Sequence, residues 1–377
     1  MSKNKNHIIV SVSNDLFSDQ RVDKVCNTLI CLGFEVTLVG RKLPNSLPLA
    51  PRKYKTKRIK LLFKKGPFFY AELNFRLFWY LLFKKHSVLL ANDLDTLLAN
   101  YKVSKFRRTE LVYDSHEYFT EVPELKEGSF AKNMWLRIER YIFPRLKNLY
   151  TVCDSIAKVY EDKYKVSVKV VRNIPKQNLQ TKFKTREELG LPKDKKVLLL
   201  QGAGINIDRG AEEMVEAMKY LPQDYLFLIV GGGDVLEILK ENIAKDNLED
   251  KVKIVGKVAY EELINYTFNS DLGLSLDKNT NLNYQYSLPN KLFDYINYQT
   301  PVLTSNLVEI RKIVETYKVG WITKSHNPKD IAETILGIFN NEEEYEDKKN
   351  NTKKASEELN WENEELVLKE IYSKLLK

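Results

Sequence analysis

The chain has 377 residues, 43% hydrophobic and 29% charged, a balance that supports packed domains, excludes a disordered or low-complexity chain, and at this length suits two α/β domains. Its net charge of +9 is uneven, with 35 Lys and Arg against 17 Asp and Glu in residues 1–185 and 25 against 34 in residues 186–377, so the first half is expected to meet a polyanionic partner. Cys26, Cys31 and Cys153 form no CxxC pair and have no His-rich cluster beside them; with no run of about 18 uncharged apolar residues and no signal-peptide core, a cytoplasmic protein without disulfides or structural zinc is expected.

HIIVSVSND, residues 7–15, reads as a buried strand ending in small polar residues, followed by a helix from Asp19 to Leu32 and a second strand in GFEVTLVGR. The segment FKKGPFFYAELNFRLFWYLLFKK, residues 63–85, has two readings. Its aromatics and terminal lysines suit a membrane-surface helix, but a core-facing helix with solvated ends is the favoured expectation. Membrane contact is kept for the basic half as a whole. Further strands follow at 87–93, 110–117 and 148–154, each ending in polar residues, as a parallel sheet presents its ligand edge.

The polar stretch 176–194 lacks apolar periodicity and is read as the hinge between domains. Strand and helix then alternate again: KVLLLQGAG, a helix 211–220, YLFLIVGGG, a helix 235–245, KVKIVGKV, SDLGLSL and TPVLTSN. The last segment reads as an amphipathic helix whose Trp361, Leu366, Leu368, Ile371, Tyr372 and Leu375 need a surface to cover.

Three segments carry chemistry. In QGAGINIDRG, residues 201–210, Gly202 and Gly204 let backbone amides approach a phosphate, and Arg209 offers a cation to a diphosphate leaving group; an ordinary βα turn with a solvated arginine fits the same residues. GGGD at 231–234 is read as a tight scaffold turn. In YSLPNKLFDYINYQTPVLTSN, Asp294 suits a ribose-holding acid, with a surface aspartate on an amphipathic helix as the plain alternative.

SLPNKLFDYINYQTPVLTS resembles the donor segment of the family 4 glycosyltransferases of GT-B fold, in which two acids stand eight positions apart. By that likeness Asp294 is the second acid, while Tyr286 replaces the first; in a bacterial branch with similar segments Asn290, Lys291 and the loop that includes Pro289 serve instead. QGAGINIDRGAEEMVEAM is similar to the family's phosphate segment, with Arg209 at its lysine position, Ala203 at its arginine position and Lys291 as the substitute cation. KIVGKVAYEELINYTFNSDLGLSL resembles the base-binding strand and loop, which places Gly256, Lys257 and Val258 beside the nucleobase. SNDLFSDQRVDKVCNTLICLGFEVTLVGR, LANDLDTL and VYDSHEYFTEVPEL extend the likeness across the first half; His116 matches a histidine next to the donor sugar, and Asp19 and Arg21 fall on the acceptor side. Asp93, Asp95, Asp114 and Glu117 end strands on the same edge, as contacts to acceptor or sugar hydroxyls or as caps and ion-pair partners.

The resulting expectation is α/β, with two Rossmann-like domains facing across a cleft: residues 1–174 on the acceptor side, completed by a returning C-terminal helix 359–377, and residues 175–358 binding the nucleotide sugar. The resemblance implies transfer from a nucleotide-diphosphate sugar to a glycan or lipid-linked acceptor, with retention, without metal or other cofactor, in surface-glycan biosynthesis at the cytoplasmic face of the inner membrane. A nucleotide-sugar epimerase of the same fold and a non-catalytic nucleotide-sugar or membrane-binding scaffold are the alternatives. Nucleic acid is disfavoured because no zinc-finger, helix-turn-helix or RNA-binding signature occurs. A nicotinamide dehydrogenase is disfavoured because neither glycine cluster completes GxGxxG with a later acid.

Overall fold

A computed structural model describes residues 6–17, 19–177 and 182–376. The N-terminal MSKNK, Ser18, part of the expected hinge (178–181) and Lys377 lie outside the described residues. The chain divides into two compact units, Met1–Asn173 with Glu364–Lys377, and Ile174–Asn363.

In the first unit β1 (His7–Asp15), α1 (Gln20–Cys31), β2 (Glu35–Lys42), β3 (Lys55–Lys60), α2 (Gly66–Phe83), β4 (Val88–Asn92), α3 (Leu94–Arg107), β5 (Glu110–Ser115), α4 (Phe130–Ile142), β6 (Asn148–Thr151), α5 (Asp154–Tyr164) and β7 (Lys169–Val170) follow in order. The seven strands are parallel in the order β3-β2-β1-β4-β5-β6-β7. Central strands are apolar runs because helices cover both faces of such a sheet; all five residues of β4 are buried. β3, KTKRIK, is an edge strand whose lysines discourage pairing with another chain. The order reverses between β1 and β4, so the loops after these strands diverge and leave room at their C-terminal ends.

α2 is the expected core-facing helix with exposed lysines at its ends, but only one of its stripes faces the core. Phe69, Leu73, Leu77 and Leu81 form its buried stripe, with Leu77 and Leu81 packed beside Ile9, Val39 and Leu89. Its other side is aromatic instead of polar: Phe68, Phe75, Trp79 and Phe83 are exposed. An apolar pattern running around most of a helix does not itself tell which stripe the core takes.

The second unit contains β8 (Lys196–Gly202), α6 (Ala211–Ala217), β9 (Tyr225–Gly231), α7 (Leu236–Lys245), β10 (Val252–Gly256), α8 (Tyr260–Phe268), β11 (Leu272–Ser275), α9 (Leu282–Gln285), α10 (Asn290–Asn297), β12 (Val302–Thr304), α11 (Val308–Tyr317), β13 (Gly320–Ile322), α12 (Pro328–Asn340) and α13 (Glu342–Glu358). Its six strands are parallel in the order β10-β9-β8-β11-β12-β13, reversing between β8 and β11. Period-two alternation divides the core between the two faces: Leu198 and Leu200 of β8 join one cluster, Val197 and Leu199 the other.

α14 (Trp361–Ser373) begins in the second unit and continues into the first. There Tyr372 meets Phe34 edge-on, at 6.1 Å between ring centres, and its hydroxyl lies 3.3 Å from that of Tyr150. Of the residues expected to need cover, Trp361, Leu368, Ile371 and Tyr372 are buried, whereas Leu366 is exposed.

Candidate functional site

In the second unit the glycine turns after β8 and β9 lie against one another. A side chain at Gly231 would begin 1.8 Å from the carbonyl oxygen of Gly202, and one at Gly233 would begin 1.8 Å from that of Ile205. Glycine is required at both places by sterics, and these contacts fix where the Gly202 turn runs. Gly204 is different: an added Cβ would meet Asn206 at an ordinary 3.6 Å.

The turn leads to Arg209, whose Nη1 donates to Asp277 Oδ1 at 2.8 Å. Asp277 lies two residues beyond β11, across the reversal in strand order from β8. Its second oxygen is 3.2 Å from Lys291 Nζ, in the first turn of α10 after Pro289 and Asn290, and also accepts from Ser275 Oγ at 3.2 Å. Asp277 is fully buried; its burial would raise its pKa, but Lys291 and Arg209 hold it below the ordinary carboxylate range. Burial pulls Lys291 below the ordinary lysine range, assisted by Arg209 and opposed by Asp277. Arg209 stays charged because Asp277 outweighs the cost of its own burial. Its guanidinium stands 4.2 Å over the Tyr284 ring, and its buried Nε has no hydrogen-bond partner.

Two cations thus share one carboxylate, leaving one excess positive charge held in a fixed geometry. Such an arrangement can receive an anion without first reorganising. Asp277 was missed in the sequence, although an acid directly beyond a buried strand was the available signal. Ala203 is exposed on the glycine turn, and Tyr286 follows the short α9.

Asp294 is 8% exposed, not a surface aspartate. Its Oδ2 accepts from Gln201 Nε2 at 3.0 Å and its Oδ1 from the Tyr260 hydroxyl at 2.9 Å, while Gln201 Oε1 accepts from Thr267 at 2.7 Å. This network ties β8, α8 and α10 together. Gly256 ends β10 with φ +86°, a conformation that favours glycine. The Lys257 side chain crosses so close to Gly232 that a Cβ there would lie 2.1 Å from its Cε, and Val258 packs partly buried on the core.

The first unit gathers a second cluster at its own strand ends. Arg21 is buried and grips Asp114 with Nε at 3.1 Å and Nη2 at 2.7 Å, its Nη1 donating to the Val171 carbonyl at 2.9 Å. Asp19 caps α1 through Val22 N at 3.0 Å. These bonds give Asp19 and Arg21 structural work on the edge assigned to the acceptor. His116 places Nδ1 3.3 Å from Asp93 and Nε2 3.2 Å from Asp114, and its backbone N–H donates to Asp93 at 2.8 Å. Burial would lower the His116 pKa, but Asp93 and Asp114 raise it to about 9. Asp114 is held at about 2, its burial outweighed by Arg21 and His116.

Asp93 has φ 57°, strained for a residue with a side chain. Burial pushes Asp95 up to about 6, and its buried Oδ1 has no hydrogen-bond partner. Glu117 lies just past His116, where its carbonyl accepts from Ser115 Oγ at 2.9 Å.

Residues 181–355 match the family model for glycosyl transferases group 1. Among curated proteins the chain is similar to the amylovoran biosynthesis glycosyltransferase AmsK of Erwinia amylovora, 26% identical over 163 residues that cover 42% of this chain and 39% of that protein. The chain thus spans less than half the length of the curated relatives it matches. Among solved structures it is similar to a sucrose-phosphate synthase from Thermosynechococcus elongatus, with TM-score 0.78, 17% identity and coverage of 98% of this chain and 99% of that one. It is also similar to Anabaena HepE in complex with UDP, with TM-score 0.73, 14% identity and coverage of 98% and 100%. The chain has the GT-B glycosyltransferase fold of two Rossmann-like domains, and the segment resembling group 1 glycosyl transferases lies in its second unit.

Proposed function

We propose that the protein is a glycosyltransferase that moves a sugar from a nucleotide-diphosphate donor to an acceptor hydroxyl. The observation that carries this reading is the convergence of Arg209 and Lys291 on buried Asp277 at the strand-order reversal of the second sheet. The group 1 match over this unit and the likeness to HepE in complex with UDP support it.

In the proposed reaction the donor's C1–O bond breaks and its electron pair passes to the departing diphosphate, whose growing charge Arg209 and Lys291 neutralise. The acceptor oxygen bonds to C1 on the face the diphosphate leaves, so configuration is retained, and the acceptor proton goes to a phosphate oxygen. Asp294 is assigned to the ribose, and Gly256, Lys257 and Val258 to the base. In the first unit, His116 and the acids around it are assigned to sugar and acceptor hydroxyls. The likeness to AmsK, a glycosyltransferase of amylovoran biosynthesis, favours a glycan acceptor, and the family 4 resemblance a glycan or lipid-linked one.

The test is a thermal-shift screen with uridine and guanosine diphosphates and their sugars, followed by transfer assays with the donor that binds. Stabilisation that Arg209→Ala removes supports the assignment. Stabilisation unchanged in Arg209→Ala rejects the diphosphate site, and free epimer formed without acceptor would replace transfer with epimerisation.

A further inference from the structure

On its exposed side α2 carries Phe68, Phe75, Trp79 and Phe83, which are 68%, 64%, 44% and 74% exposed. Three of them form a ladder, with ring centres 6.3 Å apart for Phe75 and Trp79 and 5.8 Å apart, stacked, for Trp79 and Phe83. A water-facing helix surface is ordinarily polar. Here the charged pair Arg76–Glu72, at 2.7 Å, interrupts an aromatic surface, and lysines stand in pairs at its ends, Lys64 and Lys65 before and Lys84 and Lys85 after.

A cavity of about 340 Å³ opens beside the start of this helix, at the ends of β2 and β3. Arg41, Lys42, Lys60 and Lys64 line it with no acidic residue among its walls, and Phe63 adds an aromatic side. Arg41 lies 4.9 Å over the Phe69 ring and has a buried Nε without a hydrogen-bond partner. The cavity and the helix face are continuous, because the ring of Phe63 lies 5.4 Å from that of Phe68.

We propose that this surface seats the protein on an anionic lipid bilayer, with the α2 rings in the interface and a lipid phosphate in the Arg41–Lys64 cavity. Charge decides the occupant. A second copy packed on the same face would set lysines against lysines, whereas anionic headgroups complement every cation on the rim. Aromatic rings between lysine ends suit the boundary between acyl chains and headgroups. Among the described residues no helix is long and apolar enough to cross a membrane, so α2 lies on the surface. The inference is independent of sugar transfer and is tested without any donor.

The full chain is sedimented with phosphatidylcholine vesicles, with and without phosphatidylglycerol. It is expected to bind only the anionic vesicles and to lose at least tenfold in partitioning in Phe75→Ser/Phe83→Ser and, separately, in Lys42→Gln/Lys60→Gln/Lys64→Gln. Trp79 reports insertion, since it is exposed on α2 whereas Trp135 and Trp361 are only 7% and 2% exposed and Trp321 packs partly buried on the core of the second unit: brominated lipid is expected to quench the wild type and to spare Trp79→Phe. Wild-type binding by either variant, no binding of the wild type to anionic vesicles, cavity occupation by inorganic phosphate without vesicle binding, or a dimer abolished by the same ring substitutions without vesicle binding would each overturn the proposal.

Discussion

Arg209 and Asp277 meet at 2.8 Å from opposite sides of the strand-order reversal in the second sheet. Asp277→Asn keeps the shape but leaves Arg209 and Lys291 without a counter-charge, at an expected cost of about 1–3 kcal/mol. The urea midpoint should fall. Because a diphosphate would then resupply the missing negative charge, uridine or guanosine diphosphate should stabilise the variant more than the wild type. Equal stabilisation of both proteins would mean that the cations do not hold the diphosphate.

Removing either cation is expected to slow turnover more than it weakens donor binding, because charge on the leaving diphosphate is greatest in the transition state. Arg209→Ala and Lys291→Ala should each lower kcat by about 10²–10³-fold, the range for losing one preorganised donor to a developing anion. Asp294→Asn should act chiefly on the donor KM, since a ribose contact is made before and during reaction alike. Steady-state kinetics with saturating acceptor separates these outcomes; a raised KM with unchanged kcat in Arg209→Ala would confine that residue to ground-state binding.

Alternation of apolar strands with helices made both parallel sheets legible, and the glycine turn located Arg209 without any contact information. Asp277 escaped because its significance depends on Arg209, 68 residues earlier, and local pattern cannot pair them. The Arg21–Asp114 pair, 93 residues apart, escaped for the same reason. Edge strand β3 has no apolar alternation to reveal it, as its six residues include four cations. The outer face of α2 was hidden differently: with aromatics on most sides, the helical period does not say which stripe the sheet covers.

Stability should decline towards alkaline pH through His116. An unfolded histidine titrates near about 6.5, while Asp93 and Asp114 overcome burial to hold the folded one at about 9. The folded state therefore binds this proton more tightly. Its stabilisation is lost as pH rises through about 9, and burial, which holds the neighbouring Asp93 at about 7, adds a decline as pH rises through that value. Asp114 acts at the other end: held at about 2 despite burial, chiefly by Arg21, it stabilises above about pH 3.9 and ceases to as pH falls through about 2. Urea midpoints measured from pH 6 to 10 should show the alkaline decline in the wild type and a flatter profile in His116→Gln. Parallel profiles would show that His116 does not carry it.

The two glycine turns permit a separation of scaffold from ligand contact. Gly231→Ala would place a methyl group 1.8 Å from the Gly202 carbonyl oxygen, and backbone at that distance cannot yield without moving one strand against the other. Overpacking of this kind costs about 1–3 kcal/mol or more, so a lower unfolding midpoint is expected. Gly204→Ala meets only an ordinary contact with Asn206 and has no positive φ to strain; its stability should stay within about 0.5 kcal/mol of wild type. If backbone amides of this turn approach a phosphate, the added methyl group intrudes on the ligand alone, and Gly204→Ala should weaken nucleoside diphosphate binding while the fold is unchanged. Calorimetric titration of a folded Gly204→Ala protein gives the answer: wild-type affinity would remove Gly204 from the donor contacts and leave the turn with Arg209 alone.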